Sequence, residues 1–195
     1  MPAFTFDQIL QQGVRQGKIP GLSRDSREWF RDTANKTTNV TPRQMIQNSK
    51  RLRGSVLVGN MYAFFYDPKM KKELPYYDRF PLVFPIEKAP NGFLGINMHY
   101  LPYILRAKLM DALYQLSTNQ KFDATTRLDL SYQILKGASR FKPFKPTVKR
   151  YLTSHIRSRF LYIQPNEWDI ALFLPVERFQ KASKQQVFKD SKDAI

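Results

Sequence analysis

The densest run of residues able to do chemistry lies between Lys136 and Arg159. It holds Lys136, Arg140, Lys142, Lys145, Lys149, Arg150, Arg157 and Arg159, and no acidic residue. Phe141, Phe144 and Tyr151 are interleaved with these cations. Lysine and arginine follow a phosphate backbone, and aromatic rings between them can stack on unpaired bases. Pro146 can begin a helix reaching about Phe160, with Val148, Tyr151, Leu152, His155, Ile156 and Phe160 on its apolar side. On such a helix Lys149, Arg150 and Arg157 share the exposed face. Lys136, Arg140, Lys142, Lys145, Lys149, Arg150 and Arg157 are therefore the candidate nucleic-acid-binding residues. A solvated helix face turned towards an acidic protein neighbour would use the same residues. Two smaller basic sets, Arg43 with Lys50, Arg51 and Arg53, and Lys69-Met-Lys-Lys72, read as solvated helix-end and loop-tip cations.

Catalytic chemistry finds little support. Glu167 and Asp169 lie two apart and could share a strand face, as a metal-dependent nuclease requires. Trp168 between them points instead to a structural turn. His99, with Asn97 and Tyr100 beside it, reads as a hydrogen-bonded structural histidine, and His155 as a core residue. No phosphate-binding P-loop, dinucleotide-binding glycine motif or nucleophile elbow is present. Cysteine is absent, which removes disulfides, zinc fingers, iron–sulfur clusters and thiol catalysis. With two histidines, no metal site and no cofactor is expected.

The elements that must carry these residues belong to a 195-residue chain, 42% hydrophobic and 14% aromatic, which is enough apolar surface for a core. Its 32 Lys and Arg against 16 Asp and Glu give a net charge of +16. Such a surplus repels itself unless a polyanion or an acidic protein surface offsets it. No apolar run approaches the roughly 20 residues of a bilayer span, and Met1-Pro-Ala-Phe-Thr-Phe-Asp-Gln does not read as a signal peptide. No membrane is expected as a partner, and a cytoplasm, or a particle assembled in one, is the expected compartment.

The spacing of Phe6, Ile9, Leu10 and Val14 predicts a short amphipathic helix ending near Gln12, interrupted by Gly13 and Gly17. Ser23 caps a second helix through Trp29 and Phe30. Thr41-Pro-Arg-Gln44 is a capping box with proline at the first helical position, starting a helix expected to run to Leu52 or Arg53. Strands are expected at 61–66, at 80–87 and at 93–98, the last two joined through Asn91-Gly92. Pro81 and Pro85 suggest that the middle strand lies at an edge or carries a bulge, and Gly95 marks close backbone approach or a bulge. A helical stripe follows from Ile104 to Leu116, broken by Lys108, and Asp123 can cap a further helix bearing Leu128, Tyr132, Leu135 and Ala138. Residues 161–163 and 169–174 read as short strands, 176–182 as a helical turn or two, and the last dozen as a polar tail. The expected class is α+β, a small antiparallel sheet or partly open barrel flanked by helices. Residues 1–55 would form a helical arm and 56–195 the body, a single globular domain overall.

The strings Tyr76-Tyr-Asp-Arg-Phe-Pro-Leu-Val-Phe-Pro-Ile86, Gly92-Phe-Leu-Gly-Ile-Asn-Met-His-Tyr-Leu101, Ser139-Arg-Phe-Lys-Pro-Phe144 and Trp168-Asp-Ile-Ala-Leu-Phe-Leu-Pro-Val-Glu177 resemble virion proteins of T4-type contractile-tailed phages, best the DNA end protector family. The resemblance spans about residues 24 to 192. It implies a virion protein near the head–tail junction that binds the packaged genome's ends and shields them from host exonuclease. It brings no catalytic residues, and its implied partners are DNA and other virion proteins, with no small-molecule substrate. A neck, tail or baseplate subunit with no direct DNA role would carry similar strings.

Overall fold

The computed structural model describes residues 5–21, 23–47, 49–117, 132–137 and 142–194, together with Asp123 and Asp129. Its centre is a six-stranded antiparallel sheet, ordered β1 (Leu52–Arg53), β7 (Phe160–Ile163), β2 (Met61–Ala63), β4 (Leu82–Ala89), β5 (Gly92–Asn97) and β6 (Val148–Leu152). The sheet is open, with β1 and β6 at its edges, and not a barrel. β3 (Tyr77–Asp78) and β8 (Phe179–Gln180) pair separately. The α+β class expected from the sequence is the class observed.

One face of the sheet carries Met61, Ala63, Leu82, Phe84, Ile96, Leu161 and Ile163 against the helices. These are α1 (Thr5–Arg15), α2 (Arg24–Lys36), α3 (Pro42–Ile46), α4 (Tyr103–Ser117), α5 (Trp168–Phe173) and α6 (Lys184–Asp193). The opposite face is aromatic: Tyr62, Phe64, Tyr66, Phe93, Tyr151 and Phe160 pack mainly edge to face. Such contacts add about 0.5–1.5 kcal/mol per pair beyond the area buried. No helix among the described residues is long and apolar enough to cross a membrane.

Local signals set several of these elements. Phe6 and Ile9 of α1 are buried on the body. α1 runs through Gly13 because a Cβ there would meet the Phe30 ring of α2 at 2.4 Å. Thr41 and Gln44 form the expected capping box, yet α3 stops at Ile46, since Leu52 and Arg53 pair with β7. Asn91 takes the positive φ of the β4–β5 hairpin. Gly95 packs so closely that a Cβ would lie 2.3 Å from Val83 Cγ1. β4 does carry the expected bulge, between Pro85 and Glu87, but lies inside the sheet and not at its edge. Proline is tolerated there because β4 pairs with β2 only at Leu82 and Val83; beyond that, the Pro85 carbonyl accepts the Gly59 amide of a loop.

Four expectations are corrected. Residues 148–152 are a strand, not part of a helix from Pro146 to Phe160, because β5 offers an open edge that Val148-Lys-Arg-Tyr-Leu152 completes. Residues 168–173 are a helix and not a strand; a short apolar run fits both periods, and the Gln164–Glu167 capping box just before it decides for the helix. Residues 176–182 hold β8 and no helical turn, while the tail forms α6, which buries Val187. On α4 the buried positions are Arg106, Leu109, Met110 and Leu113, with Leu105 half-buried, so Lys108 lies on the exposed side with Ile104. The helix expected after Asp123 is seen over 132–137, with Leu135 buried; Leu128 and Ala138 fall outside the described residues.

Candidate nucleic-acid interface

Edge strand β6 alternates. Lys149 and Tyr151 face the aromatic side of the sheet, while Arg150 points the other way and is exposed. Opposite β6 runs the loop 67–74, the continuation of the aromatic segment that ends at Tyr66. Asp67 Oδ1 accepts from Lys71 Nζ at 2.8 Å, and Arg157 Nη2 lies 3.9 Å from Asp67 Oδ2. The Asp67 amide donates to the His155 carbonyl, and His155 Nδ1 lies 2.8 Å from the Asp67 carbonyl. Lys181 Nζ donates to the carbonyls of Lys71, Lys72 and Leu74, tying the far end of the loop to β8.

Loop and strand enclose a cavity of about 490 Å³. Tyr66, Tyr77, Tyr100 and Tyr151 line it with Met70 and Leu74, and Lys69 and Lys149 contribute cations, while Arg150 borders it from the strand with its side chain turned to the other face. Lys149 Nζ sits 4.3 Å from the Tyr100 ring centroid. No carboxylate pairs with Lys149 among the described residues, and burial pulls its ammonium below the ordinary lysine value. Tyr66 accepts the Leu152 amide at 3.1 Å.

Asp78 also borders the cavity, but its oxygens are occupied. Oδ1 accepts from the amides of Phe80 and Arg178, and Oδ2 from Asn97 Nδ2 at 3.1 Å with His99 Nδ1 at 2.7 Å. Burial raises the Asp78 carboxyl, and the charge of His99 with these hydrogen bonds outweighs it, leaving the group below its ordinary value. His99 is fully buried and its Nε2 has no hydrogen-bond partner among the described residues. It is the structural histidine expected.

Of the sequence-derived candidates, Lys149, Arg150 and Arg157 gather at this cavity or its rim. Arg157 reaches it from a loop and Arg150 from a strand, so the shared helical face does not exist. Arg150 Nη2 donates to the Pro90 carbonyl. Lys145 is exposed in the 3₁₀ turn Lys142–Thr147 that leads into β6; Lys142 begins that turn. Lys136 stands apart, 4.0 Å from Glu87 on β4. Arg140 lies outside the described residues. Sequence reasoning set aside Lys69 and Lys71 as solvated and did not single out Met70, Leu74 or Tyr77. The Asp67/Lys71 pair four residues apart was the only local hint that the loop is ordered.

Glu167 and Asp169 are each engaged by an arginine. Glu167 Oε1 lies 2.5 Å from Arg51 Nη1, and Asp169 Oδ1 2.7 Å from Arg31 Nε. The pair does not converge on a shared point.

The family model described as the Phage T4 terminal DNA protecting protein matches residues 5–192. The chain belongs to that family. No curated protein and no solved structure matches it. The phage terminal DNA protecting family thus covers the arm α1, the whole sheet and nearly all of α6.

Proposed function

We propose that the protein binds the ends of packaged phage DNA within the virion, near the head–tail junction, and shields them without chemistry. Family membership names the task, and the observation that carries the reading is the cationic rim. Lys69 and Lys149 meet there without carboxylate partners among the described residues, Arg150 is exposed on the other side of the same edge strand, and Lys71, Arg157 and Lys181 hold the loop. The cations around the cavity outnumber its acids, Asp67, Glu73 and Asp78. Such a surface attracts phosphates through counterion release, without reading sequence. Lys145 extends the rim along the approach to β6; Lys136, Arg140 and Lys142 would add contacts as the duplex continues. The reading needs no catalytic group, since Glu167 and Asp169 hold arginines. Exposed Val14 and Ile19 at the end of α1 favour a further contact with other virion proteins.

The test is protection of linear duplex from a processive exonuclease by the purified protein. Protection of linear DNA, with tighter binding to it than to closed circles of equal length, is expected. Equal affinity for both forms and undiminished digestion would contradict the proposal.

A further inference from the structure

Resting on the DNA-end reading, we infer that the cavity between β6 and the 67–74 loop receives one unpaired nucleotide at a DNA terminus. Its base would lie against the tyrosine, Met70 and Leu74 walls, and its 5′-terminal phosphate on the Lys149 ammonium. Four observations carry this. The cavity, at about 490 Å³, falls in the range of small-molecule sites, about 300–1,000 Å³, and cannot admit a duplex. Its wall is aromatic and apolar with few polar groups, the surface on which any base can stack. Lys149 is a partly buried cation held only over a ring, so it lacks the anion that its setting calls for. The one acid among the cavity's lining residues, Asp78, has both oxygens filled by protein donors and is not that anion.

A duplex end suits this arrangement better than an internal step. Terminal bases leave the stack at lower cost, and a terminal phosphate monoester carries about −1.5 to −2 charge at neutral pH. The Tyr66 hydroxyl, which accepts the Leu152 amide, keeps its own proton to donate to a phosphate or base oxygen. The rim cations then follow the next phosphates outward. A phosphate beside Lys149 would also restore the ammonium that burial disfavours, so binding should weaken as the pH is raised towards the lowered lysine value.

The experiment uses the full chain and a hairpin duplex with one open end. That end carries a one-nucleotide 5′ overhang of 2-aminopurine, with or without a 5′-phosphate; a control hairpin is blunt. Expected is fluorescence quenching of the overhang and about tenfold tighter binding with the phosphate, the scale of a hydrogen bond to a charged group. Lys149→Gln should abolish the phosphate preference, read as the ratio of affinities for the phosphorylated and unphosphorylated overhangs, while the blunt hairpin loses only the smaller contribution of one rim cation. Met70→Glu, at an exposed lip position, should also remove that preference by repelling the phosphate, with its melting temperature confirming an intact fold. If wild-type protein binds the open end but shows neither quenching nor phosphate preference, the cavity proposal fails and end binding stands. If it binds a dumbbell closed at both ends as tightly as the open hairpin, the end-binding reading fails, and this inference with it.

Discussion

Two groups of cations in this chain do opposite work. In the helical layer each buried or half-buried arginine has its acid. Arg31 joins Asp169 to Asp111, Arg51 joins Glu167 to Asp7, and Arg106 is buried between Glu177 and the carbonyls of His99, Leu101 and Leu172. These contacts tie α1, α2 and α4 to α5 and its capping turn. Around edge strand β6, Lys69, Lys149 and Arg150 have no carboxylate partners among the described residues. A basic chain whose few acids are drawn into its own seams concentrates its surplus charge where no internal partner exists. The comparison teaches that partnering, more than the net charge of +16, separates the cations engaged within the fold from those left without an acid.

The comparison breaks most visibly at Arg31. Arg31→Met leaves Asp169 ionised and buried without its partner, which costs about 3–5 kcal/mol. Urea unfolding should show a large fall in midpoint, while the salt dependence of DNA binding in the surviving folded protein stays as in wild type. Phe6→Ala, which empties a fully buried aromatic site under α1, should cost a similar 3–5 kcal/mol. An unchanged melting temperature would mean that α1 is not part of the folded body.

A smaller effect is expected from the amides. Glu167→Gln with Asp169→Asn keeps Arg51 on Asp7 and Arg31 on Asp111, so each lost charge-assisted bond should cost about 1.5–3 kcal/mol. End protection should persist. Magnesium-dependent DNA cleavage that vanishes in this double variant would show these carboxylates to be catalytic.

Acid titration sharpens the comparison further. Burial raises the Glu167 and Asp169 carboxyls, and their arginines only partly oppose it, so both stay above the ordinary value. Their contribution to stability is fully present at low pH and is lost as pH rises through the raised values. Asp78 and Glu177 run the other way. Burial raises them too, but the charge of His99, joined at Glu177 by Arg106 and Lys184, brings both below the ordinary value. Their stabilisation is present above the ordinary carboxylate range near pH 4 and is lost as pH falls through the lowered values. Carboxyl-carbon NMR titration should place Asp78 and Glu177 below that range, and Glu167 and Asp169 above it. The reverse order would overturn the assignment.

Elements set by their own residues were legible in the sequence. The Thr41–Gln44 box, the Asn91-Gly92 hairpin, Gly95 against Val83 and the apolar spacing of α1 are local chemistry. Strand β6 was not legible, because Val148, Leu152 and Ile156 also fit a helical spacing and the partner that decides, β5, lies more than fifty residues earlier. The same limit hid the cavity. Tyr66, Tyr100 and Lys149 meet only after the sheet forms, and the 67–74 loop reads as solvated until Lys181 and Arg157 are brought onto it. Lys149, Arg150 and Arg157 were found for their charge, although the helix expected to align them is absent.

Changes at the rim should leave stability within about 0.5 kcal/mol, because they touch no buried partner. On the proposed reading their effect falls on DNA binding, and the most direct measurement is the salt dependence of affinity for a linear duplex. Each phosphate contact contributes about 0.9 to the slope of log affinity against log salt. Arg150→Gln with Arg157→Gln should lower that slope by up to about two, equally for all sequences. A wild-type slope in this folded double variant would mean that the rim does not meet DNA; if the variant also failed to enter the virion, its cations would be facing acidic protein instead.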